Sequence, residues 1–145
     1  MGRYSETGRI YSITSSCHGR IRLFQDIELA SILIDETKYQ EGTGDCNSLV
    51  FVAMPDHFHW LMQLTGKRTL QEIVGSVKGR SARRINLIRS ASARVWQAGF
   101  HDHALRAEED IENIANYILL NPVRAGLVVD VEDYPHWYSV WHHRG

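Results

Sequence analysis

Met54-Pro55-Asp56-His57-Phe58-His59-Trp60-Leu61-Met62-Gln63-Leu64 is an apolar run that holds two histidines one residue apart. Side chains alternate along a strand, so His57, His59, Leu61 and Gln63 share one face, and Phe58, Trp60, Met62 and Leu64 the other. Ahead of them, Leu49 to Met54 is apolar enough for a buried strand, and Pro55-Asp56 has the chemistry of a tight turn. The stretch predicts a hairpin whose second strand aims two imidazoles the same way.

Working outward, residues 9–17 are rich in β-branched and aromatic types and read as a first strand. Ile27 to about Tyr39 reads as an amphipathic helix with Ile27, Ala30, Leu33 and Ile34 inward. Residues 41–45 form a loop. Thr69 and Glu72 make a capping box that opens a helix to about Arg89, with Leu70, Ile73, Val74 and Val77 inward. Gly75 and Gly79 weaken that helix. Val95 to Gln97 reads as a short fourth strand, extending toward Phe100. Glu108-Glu109-Asp110 starts a last main helix, because acids favour a helix N-terminus. It ends near Asn121, since Pro122 disfavours helix for the residue before it. The aromatic tail from Tyr134 to Ser139 is expected to dock on the core. The order β-α-β-β-α-β-α predicts a single α+β domain over residues 1–145. It is ferredoxin-like (split βαβ): an antiparallel sheet with helices packed on one side, plus a further C-terminal helix.

Composition narrows the class. The 145 residues are 43% hydrophobic and 23% charged, with a net charge of −1, which is ordinary globular usage. No apolar run approaches the roughly 18–20 residues of a membrane span. The start, Met1 to Glu6, lacks the apolar middle of a secretory signal, and Gly2 reads as an ordinary N-terminus rather than a lipidation site. Cys17 and Cys46 read as free thiols in a reducing cytoplasm. Charge is unevenly spread: Lys67, Arg68, Lys78, Arg80, Arg83, Arg84, Arg89 and Arg94 crowd one stretch, and acids crowd residues 108–133. The basic stretch is either a solvated helix face, neutralised by the acids of residues 108–112, or a phosphate-binding surface.

The last helix carries a core stripe of Ile111, Ile114, Ala115 and Ile118. Tyr117 and Asn121, four residues apart, sit one above the other beside it, at the edge of the sheet. Joined to His57 and His59, they make a sparse site with open positions for a divalent ion and substrate oxygens. Such an ion polarises a phosphodiester. Tyrosine, with an ordinary pKa of about 10, gains from a neighbouring cation, and its attack on phosphorus stores the bond energy as a phosphotyrosine.

The segment Met54 to His59 resembles the His-hydrophobic-His (HUH) motif of single-tyrosine, single-strand DNA transposases. Tyr117-Ile118-Leu119-Leu120-Asn121-Pro122-Val123-Arg124-Ala125-Gly126 resembles the tyrosine motif of their REP-associated branch, named for repetitive extragenic palindromes. Val95 to His103 and Trp137-Tyr138-Ser139 resemble the same branch. The resemblance implies a DNA nicking and joining enzyme with Tyr117 as nucleophile, giving a 5′-phosphotyrosine and a free 3′-hydroxyl. It implies one Mg²⁺ or Mn²⁺ held by His57, His59 and Asn121. The implied partner is single-stranded DNA beside an imperfect hairpin, bound by a monomer or a homodimer. Lys78, Arg80, Arg83 and Arg84 are expected to grip the hairpin backbone, although the chain is near neutral where many DNA-binding relatives are basic. The alternatives are a domesticated hairpin-binding protein that no longer cleaves, or a hydrolase using water with Tyr117 structural. His101 and His103, a second His-x-His, are either accessory groups beside the ion or bystanders. His142 and His143 read as solvated.

Overall fold

The computed structural model describes residues 8–106 and 109–142. The N-terminal segment Met1–Glu6, the Glu108 part of the acidic helix start and His143 lie outside the described residues.

The strands are β1 (Ile10–Ser16), β2 (Cys46–Met54), β3 (His57–Leu64), β4 (His101–Ala104) and β5 (Trp137–Ser139). They form one antiparallel sheet in the order β4-β1-β3-β2-β5. The main helices are α1 (Ile27–Gly42), α2 (Leu70–Arg89) and α3 (Ile111–Leu119), followed by the single turn α4 (Asn121–Arg124). The architecture is α+β, and the order of the first four strands is consistent with the split-βαβ plan.

Alternation along β3 divides the interior into two cores. Phe58, Trp60, Met62 and Leu64 face α1 and α2 and pack with Tyr11, Phe24 and Phe51. Trp60 is fully buried, and its Nε1 donates to Ser48 Oγ at 2.8 Å, so a large apolar body enters without stranding its polar edge. On the other face Leu61 joins Val50, Val52, Ala115, Ile118 and Trp137 under α3 and the tail. The capping box at Thr69 is present, and Leu70, Ile73, Val74 and Val77 are all buried. Among the described residues no helix is long and apolar enough to cross a membrane.

Four expectations change. Ile27 is 68% exposed, because it opens α1 just after the Asp26 cap; Leu29, Ala30, Ile32 and Leu33 make the buried face instead. Val95 to Gln97 is not the fourth strand. Val95 and Trp96 are buried at the end of the sheet, where Trp96 makes an isolated bridge with Cys17. The chain then turns at Gly99, φ +72°, and the polar His101–Ala104 pairs with β1 as an edge strand. Helix α3 starts at Ile111 behind an Asp110 cap and breaks at Leu120; Asn121 and Pro122 open α4 rather than ending α3. Finally, α3 covers the sheet face opposite α1 and α2 rather than lying at the edge, since its core stripe packs on residues of β2 and β3.

Candidate active site

The Pro55-Asp56 turn is pinned from outside the hairpin. Cys17 N–H donates to Asp56 O at 2.8 Å and Phe24 N–H to Pro55 O at 2.9 Å. Gly19 and Arg20 adopt left-handed backbone, φ +65° and +56°, which costs energy at a residue with a Cβ. This twist presents Arg20 to the turn, where its Nε donates to Asp56 Oδ2 at 2.9 Å. The other carboxylate oxygen, Oδ1, lies 2.7 Å from His57 Nδ1. Burial alone would raise the Asp56 carboxyl, but the hydrogen bonds from His57 and Arg20 outweigh it and hold the group below the ordinary carboxylate range.

His57 and His59 share the face that α3 covers, as the alternation requires. Their Nε2 atoms stand 3.2 Å apart and their rings meet edge-on. Each outer nitrogen has its own anchor: Asp56 for His57, and Thr14 Oγ1, at 3.0 Å, for His59. Burial, then the charges of His57 and Arg124, push His59 down to about 4, so its imidazole is neutral at neutral pH. Two arrangements satisfy the facing Nε2 atoms: one shared proton, or two lone pairs turned toward a cation. Ligand bonds of about 2.0–2.2 Å at tetrahedral or octahedral angles separate neighbouring nitrogens by roughly 2.8–3.6 Å. The pair, with carboxylate and hydroxyl behind it, fits a divalent ion. Among the described residues no three His, Cys, Asp or Glu side chains gather into a metal cluster. Any further donor to such an ion would be an amide, water or substrate oxygen.

Tyr117 and Asn121 are joined by a residue to which the sequence reading gave no role. The Arg124 guanidinium lies 3.7 Å from the centre of the Tyr117 ring, and its Nη2 donates to Asn121 Oδ1 at 2.6 Å. Its charge also reaches His59. The break at Leu120 permits this, because the backbone of α4 restarts with Arg124 N–H on Leu120 O at 2.9 Å. Tyr117 is 66% exposed, open to a substrate. The structure thus brings the histidines into contact with each other, and joins Tyr117 and Asn121 to one another through Arg124. Asp56, Arg20, Thr14 and Arg124 are the supporting residues missed. Asp56 and Arg124 lay inside the quoted motifs, but Asp56 read as a turn residue only.

The remaining candidates are dispersed. His101 pairs across β4–β1 with Thr14, which pairs onward with His59, so His101 belongs to the same sheet face. Two strand spacings put its backbone roughly 10 Å from that of His59. His103 Nε2 lies 3.1 Å from Glu109 Oε1. Lys78, Arg80, Arg83 and Arg84 lie on α2, across the sheet from the histidines. Lys78 Nζ donates to Gln97 O at 2.9 Å. Arg80 and Arg84 clamp the buried Glu36 at 2.7 and 2.9 Å, and Arg84 adds Asp35 at 3.3 Å. The neutralising acids come from α1, and among the described residues none of residues 109–112 pairs with this set. Arg83 makes no ion pair among the described residues. Cys17 and Cys46 are free and buried, and burial pushes both thiols up to about 12. His142 is exposed, with Nε2 3.3 Å from Asn116 Oδ1.

An antiparallel α+β domain with a His-hydrophobic-His pair on its central strand, faced by a tyrosine-bearing helix, defines a class that the comparisons identify. Residues 9–121 match the family described as Transposase IS200 like, and the chain belongs to that family. It is 32% identical over 99 residues to a Haemophilus influenzae protein named "Putative REP-associated tyrosine transposase", covering 61% of this chain and 55% of that protein. It is 29% identical over 93 residues to the REP-associated tyrosine transposase of Escherichia coli K12, covering 63% of this chain and 52% of the relative. The chain thus spans about half the length of each relative. A REP-associated tyrosine transposase solved bound to a REP hairpin has the same fold, with a TM-score of 0.75 at 22% identity over 94% of this chain and 80% of that one.

Proposed function

We propose that this domain is a metal-dependent single-stranded DNA endonuclease and strand transferase that acts next to a DNA hairpin through a covalent 5′-phosphotyrosine at Tyr117. The observation that carries the reading is the 3.2 Å approach of two separately anchored imidazole Nε2 atoms, on the sheet face covered by the helix that bears an exposed tyrosine. A divalent ion, Mg²⁺ or Mn²⁺, held by His57, His59 and Asn121 would polarise the scissile phosphate as a Lewis acid. Asn121 Oδ1 keeps a second lone pair beyond the one Arg124 uses.

The protein's own groups do the rest. Asp56 and Thr14 fix the ring orientations of His57 and His59. Arg124 holds its planar fork beside the Tyr117 ring, where it can pair with phosphate oxygens. The Tyr117 oxygen forms a bond to phosphorus as the bond to the 3′ oxygen breaks. The phenol proton leaves the tyrosine, and a proton ends on the released 3′-hydroxyl. Reversal by another 3′-hydroxyl rejoins a strand without ATP. The hairpin itself would be gripped by basic residues, with Arg83 the least committed of the α2 set.

The test uses an end-labelled hairpin oligonucleotide with a single-stranded flank. On a denaturing gel the wild-type chain forms a slow-migrating covalent adduct that a chelator suppresses. A chain that binds the hairpin tightly and never forms the adduct is a binding protein, and the proposal fails.

A further inference from the structure

The pairing of β4 with β1 stops at His101 and Thr14, and the outer chain meets β1 again only at the Trp96–Cys17 bridge. Between these points Ser15 and Ser16 of β1 stand opposite residues 97–100, so the outer chain bulges. The bulge is held by Gln97 N–H on Ser16 O at 3.0 Å and by Lys78, whose Nζ donates to the carbonyls of Gln97 and Gly99. A cavity of about 180 Å³ lies there, with Thr14, Ser15, Ser16, Gln97, Phe100 and His101 on its wall. Thr14 is also the anchor of His59, so the cavity adjoins the histidine pair one strand over.

The wall is rich in donors, and no carboxylate lies on it. Ser15 is 2% exposed and its hydroxyl has no hydrogen-bond partner among the described residues, a cost that a bound acceptor removes. Ser16 Oγ accepts from Arg20 Nη1 at 3.4 Å, which leaves its own O–H to donate and brings a guanidinium beside it. The side chains of Gln97 and His101 are exposed and make no hydrogen bond among the described residues. The Lys78 ammonium, on the Gln97 and Gly99 carbonyls, adds a second positive charge to the surroundings. Hydroxyl, amide and imidazole donors with two cations near them and no acid among them suit an anion with several acceptor oxygens. A DNA strand carries one at every phosphodiester.

We propose that this cavity seats a backbone phosphate of the strand being cut, close to the phosphate at the histidines, and that Ser15, Gln97 and His101 donate to it. The inference rests on the reading of this domain as a single-strand DNA enzyme. It gives His101 the task of holding DNA rather than a metal ion.

The experiment measures binding in chelator, so that no divalent ion takes part. The Tyr117→Phe chain is titrated with fluorescent hairpin oligonucleotides whose flank carries one uncharged methylphosphonate linkage, moved a nucleotide at a time. One linkage is expected to weaken binding about tenfold more than its neighbours do, as fits the loss of charge-assisted hydrogen bonds. Adding Gln97→Ala and His101→Ala, both at exposed sites, should weaken binding of the unmodified strand by about the same factor and abolish the penalty of that linkage. Ser15→Ala separates ligand binding from packing. It removes an orphaned hydroxyl, so the melting temperature should hold or rise while affinity for the unmodified strand falls. A flank in which no linkage stands out overturns the inference alone. So does a penalty that survives unchanged in the Gln97→Ala, His101→Ala chain. No single-strand binding at all overturns both this inference and the enzyme reading beneath it.

Discussion

At one end of the β2–β3 hairpin Asp45 accepts from Arg68 Nε at 2.7 Å; at the other, Asp56 accepts from Arg20 Nε at 2.9 Å. The ion pairs are alike and their remaining partners are not. Asp45 is saturated by local closure: its carboxylate also takes Lys67 N–H at 3.1 Å and the Thr43 hydroxyl at 3.2 Å, and its carbonyl takes Thr65 N–H at 2.9 Å. Asp56 gives its second oxygen to His57, whose far nitrogen faces His59. The first aspartate closes the hairpin and the second aims an imidazole. Changes at the Asp45 end should therefore cost stability and leave chemistry intact, with the reverse at the Asp56 end.

The largest effect belongs to the histidines. His59→Ala should lower cleavage by about 10³-fold or more, because several kcal/mol of charge stabilisation go with the ion. Thermal stability should fall far less steeply, since the loss is one part-buried ring and its contacts to Thr14 and His57, each hydrogen bond worth about 1 kcal/mol. A single-turnover assay paired with a melting curve separates the two.

Gly66→Ala is the mirror image. A Cβ there would lie 2.8 Å from Asp45 Cα, a backbone atom that cannot swing aside. We expect a loss of about 1–3 kcal/mol in denaturant unfolding, with cleavage per folded molecule unchanged. Asp56→Asn sharpens the contrast from the other end. It keeps the shape and weakens the anchor of His57, so ion affinity or activity should fall about 10–100-fold while the unfolding midpoint barely moves. An Asp56→Asn chain that unfolds early and cuts normally would erase the distinction.

The smallest effect is a pH dependence. The Arg68 guanidinium beside Asp45 holds its carboxyl below its ordinary value of 3.8. A depressed folded value contributes stability that is present above the unfolded value and lost as pH falls through the folded one. Between neutral pH and pH 4 the contribution should be nearly constant, and it should fade below that. Asp45→Asn should flatten this acid limb in urea titrations at several pH values.

Local rules carried the sequence reading a long way. Alternation in His57–Leu64 assigned every residue of β3 to its face, and Thr69 with Glu72 fixed where α2 begins. The misread segments share a cause. Val95 and Trp96 look like strand residues because they are apolar, yet they are apolar to fill the end of the core; the pairing falls to His101–Ala104, whose polar face suits an edge. Position Tyr117 was legible, but its link to Asn121 was not. Spacing on one continuous helix suggested stacking, while the break at Leu120 hands the contact to Arg124. The Glu36 clamp on Arg80 and Arg84 was equally hidden, since partner choice across 44 and 48 residues of chain leaves no local pattern.

The central claim is that the face bearing His57 and His59 delivers a phosphodiester to Tyr117. Mass spectrometry of the trapped DNA adduct, after digestion of protein and DNA, tests it most directly. We predict a single nucleotide-bearing peptide, modified through its 5′-phosphate at Tyr117, which disappears in Tyr117→Phe while hairpin binding persists. A nucleotide on another residue, or strand cleavage by the wild-type chain with no covalent peptide, would contradict the account.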